Sequence, residues 1–414
     1  MKIKFTATAL AVVFCSYSIK AQEIKPFKNG DKVAFVGNSI TEAGSYLSNI
    51  WLYYMTHFPD QKIQVYNKGV GGNISSQINK RFERDVLSVN PTVVVLTFGM
   101  NDSKYFEYMD QRPSEETVRA IVKESKDGYL PIVAQLQKHP NLRKIIMSSS
   151  PYDETMKKDN DPKEKVLFGK TETMRKIAAF QKASAQEHNW EYVDLLEPML
   201  QIQQKEQQQN PKFTLTSNDR IHPEEEGHFV MAYEFLKAQG MQKYPVADIE
   251  INNKTQKALK QDNCFITDLR IATTGLSFNY LAKALPFPID TNQNSWPNAT
   301  KQSKALKVIP FNKELNREML KVTDLAKGDY QLLIDGEAVG KFSSDDFAKG
   351  VNLAEITTTP QYNQAYNLLK LNRLRKDYED KLRAYYWLQF NYLDDKGLAF
   401  NDSESTYSLL KAAV

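Results

Sequence analysis

Apolar and polar positions change rhythm along this chain. From residue 31 to about residue 240, short apolar runs alternate with stretches whose apolar residues recur every three or four positions. The runs 33–36, 63–66, 92–98, 144–149 and 192–195 read as strands. The run from Thr92 to Phe98 is apolar nearly throughout, as parallel strands covered on both faces are. Between them, Tyr46, Leu47, Ile50, Trp51 and Tyr54 set one helix, and Ile78, Phe82, Val86 and Leu87 set another. Ser114 opens a long helix, with Glu115, Glu116 and Thr117 in its first turn. A further helix spans about 171–188. This alternation predicts an α/β fold, a three-layer doubly wound parallel sheet.

After Lys243 the texture changes. Short strands broken by turns are expected at 264–271, 277–282, 319–322, 330–334 and 338–342, with Asp335-Gly336 as a hairpin turn. The polar, proline-bearing stretch 286–303 reads as a long loop. It carries Trp296 and is a candidate to reach a cleft in the first part as a substrate wall; the alternative is a surface loop with Trp296 packed on its own domain. Thr359 and Pro360 look like the cap and first residue of a long helix. Its apolar stripe of Tyr362, Tyr366, Leu369, Tyr378, Leu382 and Tyr385 is expected to be packing, with Tyr362, Tyr366, Leu369 and Tyr378 buried against the β-rich part or the back of the first domain. The predicted organisation is therefore a domain over 22–245 and, over 246–414, a β-rich extension ending in a long helix.

Residues 1–21 read as a signal peptide, with Lys2 and Lys4 ahead of an apolar run too short to span a bilayer and Ala21 before the cut. Export to the periplasm or cell exterior, with surface association open, is the expectation. Cleavage removes three lysines and no acid, so the formal charge falls from +4 to +1. The basic balance thus belongs to the leader and gives no case for a nucleic-acid partner or an anionic membrane surface. The mature chain keeps Cys264 alone, which excludes an intrachain disulfide, and no later segment approaches the length of a membrane span. Nothing in the sequence sets the oligomeric state.

Three predicted strands end on residues able to do chemistry: Ser39, the Gly71-Gly72 turn and Asn101. Ligands in open α/β sheets bind at that carboxyl end. A serine there can be a nucleophile, or can merely cap the following helix. The spacing Asp219-Arg220-Ile221-His222 lets the carboxylate reach Nδ1 of the imidazole, leaving Nε2 to take a proton from a serine. The backbone N–H groups of Ser39 and Gly72 and the side-chain amide of Asn101 would supply oxyanion donors. Each piece alone has an ordinary structural reading. His57, His139, His188 and His228 lack such company and read as structural.

The ordered set Gly37-Asn38-Ser39-Ile40-Thr41, Asn67 to Asn73, Gly99-Met100-Asn101-Asp102 and Asp219 to His222 resembles the SGNH, or GDSL-like, hydrolase superfamily, over roughly residues 31–240. That resemblance implies a flavodoxin-like sheet and a Ser39 nucleophile. It also implies His222 as base, Asp219 as orienting acid, an oxyanion hole of Ser39, Gly72 and Asn101, and no metal or cofactor. Asn38 stands where the family usually has aspartate, which alters the charge beside the nucleophile. The C-terminal stretch looks like an extension found on secreted Bacteroidetes members similar to carbohydrate esterases.

The resulting expectation is a secreted serine esterase that removes acetyl groups from a polysaccharide or oligosaccharide, with an acylated glycan as its partner. Tyr105, Phe106 and Trp296 are candidate substrate-binding aromatics. The alternatives are a lipase, lysophospholipase or thioesterase of the same superfamily, and a non-catalytic glycan-binding protein.

Overall fold

The computed structural model describes residues 24–158, 166–272, 275–291 and 300–390. The expected signal peptide, Trp296 and the chain beyond 390 lie outside the described residues.

Strands β1 (Lys32–Gly37), β2 (Gln64–Gly69), β3 (Val93–Phe98), β4 (Arg143–Ser148) and β5 (Glu191–Val193) form one parallel sheet in the order β2-β1-β3-β4-β5. The doubly wound sheet is thus as the sequence indicated. Alternate residues of each inner strand enter two different cores. Val33, Phe35, Val93 and Val95 face one; Ala34, Val36, Val94 and Leu96 face the other. Helices α1 (Ser39–Glu42), α2 (Ser45–His57), α3 (Ser75–Arg81), α4 (Glu115–Gln137), α5 (Lys170–Glu187), α6 (Leu196–Gln207) and α7 (Glu225–Ala238) accompany the sheet. Ser114 caps α4 by accepting the Thr117 N–H at 3.1 Å.

Beyond residue 243, ahead of the first strand expected there at 264, the chain holds two more strands, β6 (Ala247–Asn252) and β7 (Lys257–Asp262). In β6, Ala247, Ile249 and Ile251 are buried while Asp248, Glu250 and Asn252 stand half-exposed, the period-2 pattern of a one-sided strand. The hairpin β8 (Cys264–Ala272) with β9 (Gly275–Ala282) follows, then α8 (Phe311–Glu314) and β10 (Glu318–Thr323). β11 (Asp329–Ile334) and β12 (Glu337–Ser343) pair across the expected turn, whose Asp335 and Gly336 have φ of 53° and 85°. After α9 (Ser344–Lys349), β13 (Val351–Asn352) completes a four-stranded sheet, β13-β10-β6-β7.

The segment after β9 returns to the first sheet. Phe287 and Phe311 pack on Phe229 of α7, at ring separations of 5.5 and 4.6 Å. Helix α10 (Pro360–Leu388) is capped by Thr359, as expected. Its packing corrects the expected stripe. Tyr362 and Leu369 are buried, but Tyr366 is half-buried and Tyr378 is exposed. After Leu369 the helix buries polar groups: Asn372 donates to Ser48 O and Oγ at 3.1 and 3.0 Å. It therefore lies on α2 and β2, at the carboxyl edge of the sheet rather than its back. Polar side chains that satisfy one another at this contact outweigh the pull of exposed tyrosines.

Candidate active site

β1 delivers Ser39 through a turn that only glycine permits. A β-carbon at Gly37 would come within 2.2 Å of Thr41 Oγ1 and 2.9 Å of Thr97 Cγ2. Asn38 caps α1 by accepting the Ile40 N–H at 3.1 Å, so asparagine replaces the usual aspartate without losing the cap.

Ser39 Oγ stands 2.9 Å from His222 Nε2. His222 Nδ1 stands 2.5 Å from Asp219 Oδ2, while Asp219 Oδ1 accepts the N–H groups of Ile221 and His222 at 2.8 and 2.9 Å. Burial alone would raise the Asp219 carboxyl. The hydrogen bonds from the His222 ring, the two amides and Ser217 outweigh it and hold the group well below the carboxylate range. The loop is fixed by buried Arg220, which adopts a left-handed φ of 67° and donates to Asp153 O at 2.9 Å. The sequence showed the Asp-x-x-His spacing but not this brace.

Gly72 has φ 79° and a β-carbon there would meet open space, so its backbone shape demands glycine, not crowding. The Asn101 amide is held at both ends: Nδ2 donates to Asn73 O at 3.1 Å and Oδ1 accepts from Tyr105 OH at 2.7 Å. One Nδ2 proton remains for a ligand. Buried Asp102 joins the two turns by accepting from Ser75 N–H, Ser125 Oγ and Gly99 N–H at 2.9, 3.0 and 3.0 Å. Ser39, Gly72 and Asn101 thus follow the ends of the adjacent strands β1, β2 and β3.

A cavity of about 1210 Å³ holds Ser39, Asp219 and His222. One wall is α10, through Leu369, Asn372, Arg373, Lys376, Arg383 and Trp387. The described ends of the loop near Trp296 also reach it, with Asp290 and Gln302 in the lining. The expected aromatics after Asn101 do not line it. Tyr105 is occupied by Asn101 and by the Lys170 ammonium, 3.9 Å from its ring centre, and Phe106 stands out on the surface at 80% exposure. Nothing in the sequence pattern marks Lys170. It donates to Met100 O and Ser103 Oγ at 2.8 and 2.6 Å, bracing the Asn101 turn, and burial lowers its ammonium to about 7.

His228 lines the cavity but is buried and stacked on Tyr46, with ring centres 6.1 Å apart; burial, then Lys376 and His222, lower it to about 3, so it is neutral. Among the described residues no group of three or more His, Cys, Asp or Glu side chains could hold a metal ion. No described helix is long and apolar enough to cross a membrane.

Comparison with known proteins gives two family matches. Residues 35–229 match the GDSL-like lipase/acylhydrolase family, and residues 366–414 match the diltiazem deacetylase C-terminal helical domain. A solved structure described as a gut microbial diltiazem-metabolizing enzyme is 43% identical, with a TM-score of 0.89 over 94% of this chain and 87% of that one. An acetylxylan esterase from Geobacillus stearothermophilus is 26% identical over 239 residues, covering 52% of this chain and 96% of that protein.

Proposed function

The chain belongs to the GDSL-like lipase/acylhydrolase family, and from that premise we propose that it is an exported serine acetylesterase acting on an acetylated oligosaccharide or polysaccharide. The observation that carries the reading is the relay from Ser39 Oγ to His222 Nε2 at 2.9 Å and from His222 Nδ1 to Asp219 at 2.5 Å.

Ser39 Oγ attacks the acetyl carbonyl carbon as its proton passes to His222 Nε2. The Ser39 and Gly72 N–H groups and the free Asn101 amide proton receive the oxyanion. His222 then protonates the departing alcohol oxygen, leaving acetyl-Ser39. Water, deprotonated by His222, attacks this ester, and acetate leaves as Ser39 regains its proton. Asp219 stays ionised throughout and stabilises the imidazolium.

The polar wall supports a small acyl group over a long one. Half-buried Arg373 and Lys376 and exposed Asp377 and Asp380 line the cavity, and a lipid chain laid there would strip water from charges. A binding role alone would not require the aligned relay. Residues 1–21 serve as the export signal in this reading, so the mature protein begins at Gln22 or Glu23. A second reading, deacetylation of a small molecule such as diltiazem, is favoured by the match to the diltiazem deacetylase C-terminal helical domain and the 43% likeness to the diltiazem-metabolizing enzyme.

The test is acetate release from a panel of acetylated polysaccharides and diltiazem, beside an ester series of rising acyl length. Acetate release with activity falling as the acyl chain lengthens supports the reading. A preference for long-chain esters, or no hydrolysis at all, contradicts it.

A further inference from the structure

An acetyl group has two carbons, so most of a cavity of about 1210 Å³ around Ser39 is left for the alcohol part of the ester. The α10 wall is largely committed elsewhere. Asn372 is bonded to Ser48, Lys376 to Asp380 at 2.7 Å, Arg373 to Asp290, and Arg383 to the carbonyl of Gly69. These contacts fasten the helix.

Trp387, one turn beyond Arg383, is different. It is 47% exposed although it lines the same cavity as Ser39 and His222. A β-carbon at Gly71 would lie 3.2 Å from both Cδ1 and Nε1 of its ring, so the indole stands against the turn that presents Gly72. A lone exposed aromatic on a surface would mean little. Here the ring is set beside the oxyanion turn by a helix anchored at several points, so little motion is lost when a ligand packs on it.

Building on the esterase reading, we propose that Trp387 is a specificity-determining residue whose indole receives a ring-shaped alcohol moiety, a pyranose or an aryl ring, while Ser39 attacks its acetyl ester. The flat apolar face of such a ring matches the indole, and its polar edge can turn toward the charged wall. An open-chain alcohol offers no such face.

The experiment compares the full chain with Trp387→Ala and Trp387→Phe on methyl acetate, cyclohexyl acetate, phenyl acetate and acetylated xylobiose, with melting curves for each variant. Trp387→Ala is expected to lose roughly tenfold in kcat/KM on the cyclic esters, mostly through KM. It should stay within about twofold on methyl acetate, and Trp387→Phe should recover most of the loss. The larger effect falling on xylobiose or on phenyl acetate identifies the preferred ring. Equal losses on methyl and cyclic esters would make Trp387 a prop for the Gly71 turn and overturn the proposal, as would no loss on any cyclic ester. A wild-type chain that hydrolyses none of the four would instead overturn the esterase reading on which the proposal stands.

Discussion

Arg383, near the end of α10, donates a hydrogen bond to the carbonyl oxygen of Gly69, the last residue of β2. The same helix holds that strand twice more. Glu379 accepts the Asn67 N–H at 3.2 Å, and the Lys68 ammonium lies 5.2 Å from the Tyr386 ring centre. The turn with Gly72 follows directly, so the C-terminal helix clamps the backbone that bears one of the proposed oxyanion donors.

Arg383→Met should therefore lower kcat on methyl acetate on the order of 10- to 100-fold, the scale of a small misplacement at a reacting centre. Stability should change little, because Nε and one terminal nitrogen of Arg383 are buried without a hydrogen-bond partner among the described residues, and removing them relieves a burial cost. Steady-state kinetics beside a melting curve test this. An unchanged kcat would remove the clamp from the mechanism.

Asn101→Ala should lower kcat by about 10²–10³ with little change in KM, since in the proposed mechanism the amide acts on the developing oxyanion. Tyr105→Phe keeps that amide but frees its Oδ1 end, so its loss should be smaller and also in kcat. Initial rates across substrate concentration separate the two. An effect confined to KM would make Asn101 a ground-state binding residue.

Asp85 should contribute, beside Asp219, to the loss of stability in acid. Asp85 is fully buried, 2.9 Å from Lys68 Nζ and 2.5 Å from Arg81. Burial would raise its carboxyl, but Lys68, Arg383 and Arg81 together pull it down from 3.8 to about 2. A carboxyl lowered in the fold adds stability that is fully present above its unfolded value and lost as pH falls through the folded one. Stability should thus drop between about pH 4 and pH 2. Asp85→Asn should cost about 3–5 kcal/mol near neutrality, leaving buried cations uncompensated, and should flatten that acid limb. Urea titrations at several pH values check both; identical slopes for the two proteins would exclude Asp85 as the source.

What the sequence made legible was local. The strand-turn at Ser39, the Asp219–His222 spacing and the cap at Thr359 each depend on residues a few positions apart. The sequence pattern does not mark β6, because its alternating acids lower its mean hydropathy, although its period is regular. The role of α10 was hidden for another reason: its tyrosine stripe outweighs, on periodicity alone, the polar residues that find partners on α2 and β2. Those partners are hundreds of residues away, so Trp387 and Arg383 become visible only once the helix is seated. Tyr105 stands out in the sequence as an aromatic, but its bond to Asn101 four residues back depends on the shape of that turn, and its Lys170 neighbour comes from far along the chain.

The central claim is that Ser39 carries the acyl group, and acetate release by Ser39→Ala tests it most directly. The variant should melt like the wild type and lose hydrolysis by several orders of magnitude, because no other side chain in the relay can form the ester. Turnover near the wild-type rate from a folded Ser39→Ala protein would contradict the account.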